Sequence, residues 1–205
     1  MVYYGNSATE EIANSSSTEI QDMWNDAGGT VEIDGVEYSV SFSVTSKVVT
    51  EDKAVEMAEG NTSAATNFVR VEEKSGSVSR SFYQVGGNAG YFVTSDKLGN
   101  STTAAHEKGH GFTLGHSERD QRGQGAPDIM AARGTMVDAE YTYSPAQGAS
   151  RIQSNGIPAN TANPTTRVVK QRNITDMFKG VSFNNGRANI GGVSNTIFNA
   201  NGTRR

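Results

Sequence analysis

Cysteine is absent from all 205 residues, which excludes disulfides and thiolate metal ligands and fits either redox compartment. No stretch approaches the roughly 18 consecutive apolar residues of a membrane-spanning helix, so no membrane span is expected. The opening MVYYGNSATEE has no basic start leading into an apolar run and does not read as a signal peptide. Retention in the cell, removal of a signal, or delivery by another route all remain compatible. Lysine and arginine are missing from the first 46 residues, which hold eight acids (Glu10, Glu11, Glu19, Asp22, Asp26, Glu32, Asp34 and Glu37). The remainder carries all 18 bases but clusters them nowhere, so nucleic acid is not an expected partner. The acidic stretch reads as a solvated face, or as a patch facing a partner or the basic remainder. Histidine is almost absent: there are three, all between positions 106 and 116.

What is present reads as one mixed α/β domain over 1–205, a length sufficient for a sizeable core. Residues 7–27 predict a helix capped by Asn6 or Ser7, with Ile12, Ile20, Met23 and Trp24 on its apolar face and a weak point at Ser15–Ser17. TVEIDGVEYSVSFSV predicts a hairpin turning at Asp34-Gly35. Residues 50–60 predict a helix between Thr50 and Gly60. TNFVRVEE and SVSRSFYQV predict two strands joined around KSGS, and AGYFVTS predicts another. Asn100 or Ser101 then caps a helix carrying the histidines. Residues 117–166 are loop-like, 165–180 predict a last helix ending at Gly180, and the Gly/Asn-rich tail holds one or two short strands at most.

The motif is TTAAHEKGHGFTLGHS, 102–117. His106 and His110 are four apart, which on a helix places both imidazoles on one face, a turn apart. Two neutral imidazoles so placed can hold one Zn²⁺ at about 2.0–2.1 Å each. Glu107 is rotated off that direction and can reach a water on the metal, the H-E-x-x-H arrangement in which the glutamate is general base. His116 follows six positions on, and a straight helix would turn it away, so the chain must bend first. Three histidines plus a water make a catalytic zinc site with an open position. A surface histidine pair or a chance match is the bland alternative. The third histidine, the independently capped helix and the lack of histidine elsewhere weigh against it.

HEKGHGFTLGH resembles the metzincin signature H-E-x-x-H-x-x-G-x-x-H, and AAHEKGH and LGHS are similar to the matrix metalloproteinase branch. The resemblance covers the element order over about 65–180 and is specific at 102–117 and 126–131. It implies an α+β metzincin-like fold: a twisted mixed sheet with N-terminal helices, a zinc-site helix, and a loop-rich lower subdomain from about 117 that ends in a helix. It implies a zinc endopeptidase in which Glu107 activates the zinc-bound water and His106, His110 and His116 hold the metal. Thr113 stands where the family has a glycine that turns the helix sharply, often with φ > 0, a conformation β-branched residues disfavour. Either Gly111 and Gly115 share the bend, or His116 binds less well and Asp120 becomes the fallback ligand.

A methionine turn is also implied beneath the metal. APDIMAARGTMV offers Met130 and Met136, and DIMAA resembles that turn, pointing to Met130; a buried gap-filling methionine is the plain alternative. Ala132 stands where some branches carry an extra tyrosine ligand. Tyr141 and Tyr143 are candidates for the substrate pocket, and equally for ordinary strand or core positions. Arg172-Asn173 stand where the matrix enzymes tend to carry acids, and SRSFYQVGGNAGYFVTS covers the strand region that forms the upper rim of the cleft and pairs with extended substrate.

The wording TTAAHEKGHGF…GQGAPDIMAARGTMVDAEY also resembles metallopeptidase domains at the C-termini of bacterial RHS-repeat polymorphic toxins. That resemblance implies a secreted or delivered effector, a peptide or protein substrate, and a cognate inhibitor or immunity protein. Two other readings stand beside the endopeptidase: a zinc-stabilised binding module without turnover, and a zinc amidase acting on cell-wall peptides.

Overall fold

The computed structural model describes residues 1–143, 161–183 and 189–205. Residues 144–160, part of the expected loop-rich stretch, and 184–188 of the tail lie outside the described residues.

The chain opens with a strand that the sequence analysis did not place. β1 (Val2–Tyr4) is wholly buried and pairs in parallel with β4 (Lys47–Val48) on one side and β5 (Phe68–Glu72) on the other. This shifts the start of the first helix, α1, to Glu10–Asp26. Thr9, not Asn6 or Ser7, is its cap, accepting the Ile12 N–H at 3.2 Å. Asn6 and Ser7 are held elsewhere: their N–H groups donate to Glu72 and to the Val71 carbonyl, each at 3.1 Å. Ser16 and Ser17 do not interrupt α1 but lie buried within it. The Ser17 hydroxyl meets the Tyr3 hydroxyl at 3.0 Å, so small polar residues bring the helix close to the sheet.

The hairpin forms as expected. β2 (Thr30–Ile33) and β3 (Val36–Ser39) pair antiparallel across Asp34 (φ 52°) and Gly35 (φ 78°), the paired positive φ values of a tight hairpin turn. It forms a separate two-stranded sheet. The helix α2 (Glu51–Glu59) lies between Thr50 and Gly60 as expected, with the Thr50 hydroxyl accepting the Lys53 N–H at 3.3 Å.

Only Phe82–Tyr83 of the expected 77–85 strand is paired; this is β6, antiparallel to β7 (Ala89–Val93). KSGS does not close a hairpin, because β7 lies between β5 and β6. The reason is burial. β5 is buried along its whole length and pairs with all five residues of β7, also wholly buried, while most of the polar run Glu73–Arg80 stays in solvent.

The main sheet has the order β4-β1-β5-β7-β6, with β6 the antiparallel edge strand. Alternate residues face opposite sides. Tyr3, Val69, Val71 and Phe92 pack with Ala13, Ile20 and Trp24 of α1, while Val2, Tyr4 and Phe68 pack with Ala54 and Ala58 of α2. On the α2 side Arg70 is only 2% exposed and is neutralised by Glu72 at 2.7 Å and Glu51 at 3.0 Å.

The chain then forms α3 (Thr103–Gly111) and α4 (Gln171–Met177). The expected helix over 165–180 is shorter because Val168 is drawn into an extended bridge with Asp128. Its N–H donates to the Pro127 carbonyl at 2.8 Å, and its carbonyl accepts from Ile129 at 2.7 Å. In the tail, the described residues show one isolated bridge, Phe198 with Arg204. The molecule is thus α+β, with a mostly parallel mixed sheet and four α-helices among the described residues. None of those helices is long and apolar enough to cross a membrane.

Candidate metal centre

α3 is buried over most of its length, and its two ends decide where the histidines point. At its start Thr102 adopts φ +70° and offers no side-chain cap. Thr102, not the expected Asn100 or Ser101, thus holds the cap position, while the Ser101 hydroxyl one residue earlier accepts the Thr103 N–H at 3.3 Å. A second cap comes from another helix. The Glu19 carboxylate of α1 accepts the N–H groups of Ala105 at 3.2 Å and Ser101 at 3.4 Å, and burial raises its pKa despite these bonds. Trp24 of α1 adds an indole N–H to the Ala105 carbonyl at 3.2 Å and meets Phe112 edge to face at 5.1 Å. α1 therefore fixes α3 along its length.

At its end α3 closes on Thr113. The Thr113 N–H donates to the His110 carbonyl at 3.0 Å and the Leu114 N–H to the Gly109 carbonyl at 3.1 Å. This is the paired-bond Schellman termination, whose turning residue is usually glycine. Here Thr113 itself takes φ +72°, while neither Gly111 nor Gly115 has a positive φ. The expectation that those two glycines share the bend is therefore corrected: Thr113 makes the turn alone. A β-branched residue there stores about 1–2 kcal/mol of strain.

The turn brings His116 back to the helix. Ring centroids are 5.0 Å apart for His106–His110, 5.4 Å for His106–His116 and 4.8 Å for His110–His116. One potential ligand atom from each lies within 4.8 Å of the other two. His106 Nδ1 lies 2.6 Å from the Ile129 carbonyl, and His110 Nδ1 lies 2.8 Å from the Leu114 carbonyl. A carbonyl can only accept, so both Nδ1 atoms carry the proton and both Nε2 lone pairs are free for a cation. Burial lowers the pKa of all three rings, with the Arg167 charge acting in the same direction, so the donors are neutral at pH 7. This donor set fits a metal ion. Asp120, the fallback ligand, lies outside the cluster and pairs with Arg122 at the surface.

Met130 lies beneath α3 and is 1% exposed. A Cβ on Gly109 would sit 2.3 Å from its sulfur, so Gly109 is what lets the helix approach the methionine. Met136 is only partly buried and runs between Arg119 and Gln121, so it does not share that place. The turn before Met130 is held by Asp128, wholly buried, which accepts the Met130 N–H at 2.7 Å. Ser117, next to His116, donates its N–H to the Met130 carbonyl at 3.0 Å.

Glu107 is half-buried beside the cluster, and its carboxylate makes no hydrogen bond or ion pair among the described residues. Burial pushes its pKa up to about 8, with Asp96 adding to the rise and Arg167 and Arg80 opposing it. Arg167 acts on Glu107, on all three histidines and on Tyr143, which is half-buried. Tyr141 instead contributes its backbone, accepting from Asn163 N–H at 2.8 Å and from the Thr166 hydroxyl at 3.3 Å.

The chain matches no protein-family model, no curated protein and no solved structure. Its chemistry rests on its own residues. Sequence reasoning missed three of them: Glu19, Asp128 and Arg167. Asp128, two residues before Met130, carried a local turn signal. Glu19 carried none, because the N–H groups it accepts are remote in sequence, and Arg167 carried none, because only the fold sets it beside the histidines.

Proposed function

We propose that the chain is a zinc endopeptidase of the metzincin type. The observation that carries this reading is the convergence of His106, His110 and His116, with the unpartnered Glu107 beside them. Nitrogen donors on a three-residue protein set suit Zn²⁺ better than a hard, oxygen-seeking cation. Zinc held there supplies Lewis acidity towards a peptide carbonyl and a water. Glu107, with no partner of its own among the described residues, accepts the proton of the attacking water and returns it to the leaving amine. The Ile129 and Leu114 carbonyls hold two of the imidazoles in the correct tautomer.

The element order supports the same family: a mixed sheet with one antiparallel edge strand, a zinc-site helix, a buried methionine beneath it and a closing helix. Among the described residues β6 has one unpaired edge, on which an extended peptide can add as a further strand. The reading of a zinc module without turnover drew on Thr113 and on the polar 144–166 segment; the turn at Thr113 weighs against the first motive, and most of the second lies outside the described residues. The resemblance to toxin domains adds a cognate immunity protein that covers the cleft.

The test is cleavage of a mixed-sequence peptide library by the zinc-loaded protein, with Glu107→Ala beside it. The expected result is cleavage by the parent, at least a hundredfold loss in the variant on the order of general-base contributions, and equal zinc content in both. Equal cleavage by the two proteins, or none by the parent, overturns the proposal.

A further inference from the structure

The described arginines divide into two groups. Arg70, Arg122, Arg172 and Arg205 each hold an ion pair. Arg80, Arg119, Arg133, Arg167 and Arg204 hold none, and their side chains make no hydrogen bond among the described residues. All of these but Arg204 act on the candidate centre or on the residues beside it. Arg80 acts on Glu107 and His116, Arg119 on His116, Arg133 on Tyr143 and Arg167. Arg167 acts on Glu107, Tyr143 and every histidine of the cluster.

Arg80, Arg119 and Arg133 are exposed, and an exposed arginine without a partner is ordinary. Arg167 is different. It is half-buried, enough for burial to lower its pKa to about 10, and its guanidinium nitrogens still reach solvent while holding no protein acceptor among the described residues. A guanidinium offers five N–H donors in a planar fork and has no acceptor of its own. Water alone can meet those donors, so they are open to an incoming acceptor. Two carboxylates act on it, Glu107 and Glu19, and neither forms an ion pair with it. Glu19 is engaged by the N-terminus of α3, and Glu107 belongs to the candidate centre.

The backbone holds Arg167 in place. Pro164–Thr166 form a single 3-10 turn, and the Arg167 N–H donates to the Pro164 carbonyl at 3.3 Å. The Thr102 hydroxyl at the start of α3 donates to the same Pro164 carbonyl. On the other side Val168 bridges to Asp128, and Ile129 supports His106. The arginine is thus mounted on the same frame as the histidines, with its fork free.

We propose that Arg167 is the binding residue for a substrate carboxylate, and that the cleft takes peptides with an acidic residue close to the scissile bond. The inference rests on the endopeptidase reading and deepens it. A carboxylate meets the guanidinium through two parallel N–H···O bonds, which fixes position as well as charge. Arg80, Arg119 and Arg133 surround the site with like charge and draw acidic chains towards it. Tyr143, half-buried, is acted on by both Arg133 and Arg167.

The test uses peptides matched except for glutamate or glutamine, and aspartate or asparagine, near the cleaved bond. For the zinc-loaded parent, kcat/KM for the acidic member is expected to exceed that of its amide by about ten- to a hundredfold, the worth of a charged hydrogen-bonded pair. Arg167→Glu should abolish or invert that ratio, while Arg167→Lys restores part of it. The acid-to-amide ratio is read within each variant, so a general loss of fold or activity does not move it. Should Arg167→Glu not fold, Arg167→Gln replaces it. Equal cleavage of both members by the parent, or an unchanged ratio in the charge-reversed variant, overturns the inference and leaves the peptidase standing. If the parent cuts no peptide, the peptidase reading fails. Binding of the glutamate and glutamine peptides to the Glu107→Ala protein, followed by fluorescence anisotropy, then decides the inference alone. Preference for glutamate that Arg167→Glu removes supports it, and no preference overturns it.

Discussion

The wholly buried carboxylate of Asp128 receives the guanidinium of Arg172. The same carboxylate takes the Asn173 side-chain amide at 2.9 Å and the Met130 N–H at 2.7 Å. Two neighbouring polar residues of α4 thus clamp the turn that lies under the histidines. Arg172-Asn173 stood out in the sequence as a departure from the acids of the matrix enzymes. In this chain the acid stands on the turn and its partners on the helix.

This clamp has an asymmetric cost. Asp128→Ala strips partners from the buried Asn173 amide and the Met130 N–H, and is expected to destabilise by about 3 kcal/mol. Arg172→Ala removes a side chain that is 42% exposed and screened by water, and is expected to cost about 1 kcal/mol or less. Urea unfolding of the two variants checks the order; equal losses would contradict the clamp.

Thr113→Gly is expected to stabilise the protein by about 1 kcal/mol, because glycine takes the positive φ without a Cβ clash. Zinc affinity should not fall, since His116 keeps its position. Thermal unfolding and a chelator competition measure the two effects, and a drop in Tm would show that Thr113 is unstrained.

His116→Ala is expected to weaken zinc binding at least about a hundredfold, as loss of a direct ligand should exceed the ten- to hundredfold cost of losing a partner one shell out. Asp120→Ala should leave it unchanged, because Asp120 lies outside the cluster and is engaged by Arg122. Titration against a chromophoric chelator distinguishes them. Zinc should also raise Tm in a concentration-dependent way, as any ligand of the native state does.

The histidines set an acid limit. Their folded pKa values all lie below the ordinary 6.5, chiefly through burial, so the unfolded chain binds more protons below that pH. The stability they contribute is full above pH 6.5 and is lost as pH falls from there towards the depressed values. Metal-free protein unfolded in urea at pH 7 and pH 5 should show the loss, and His106→Gln should reduce it.

Lys108 points away from the histidines and lines a cavity of about 870 Å³. Its ammonium donates to Asn67 Oδ1 at 2.8 Å and sits 4.3 Å from the Phe112 ring centroid. Burial lowers its pKa from 10.5 to about 7. The unfolded lysine therefore holds its proton where the folded one has lost it, and stability rises with pH between about 7 and 10. Lys108→Met should raise stability at pH 7 and flatten that rise. Asn67 stays satisfied, because the Tyr83 hydroxyl donates to the same oxygen at 2.7 Å. A less stable variant with an unchanged slope would contradict this.

Local features were legible wherever their cause is local. The Asp34-Gly35 turn, the Thr50-capped helix and the His106–His110 pair each follow from residues at most a few positions apart. Scarcity was informative too, since a chain with three histidines in eleven positions has little use for imidazole elsewhere. Val2–Tyr4 was not legible as a central strand, because its pairing with Lys47–Val48 and Phe68–Glu72 requires long loops to close first. The partnership of Glu19 with α3 and of Asp128 with Arg172 spans 82 and 44 positions at its recorded bonds, beyond any periodicity.

The sequence by itself determined the donor set, since residue type and helical spacing decide which imidazoles share a face. Only the tertiary structure decided that Thr113 bends the chain and His116 arrives. The physical reason is that strain at one backbone torsion persists only where surrounding contacts outweigh it. Those contacts come from Met130, Ser117 and Leu114, which meet only once the chain has folded. Folding alone likewise left Arg167 without a partner beside the site, because an unmet fork of donors is a property of what surrounds it.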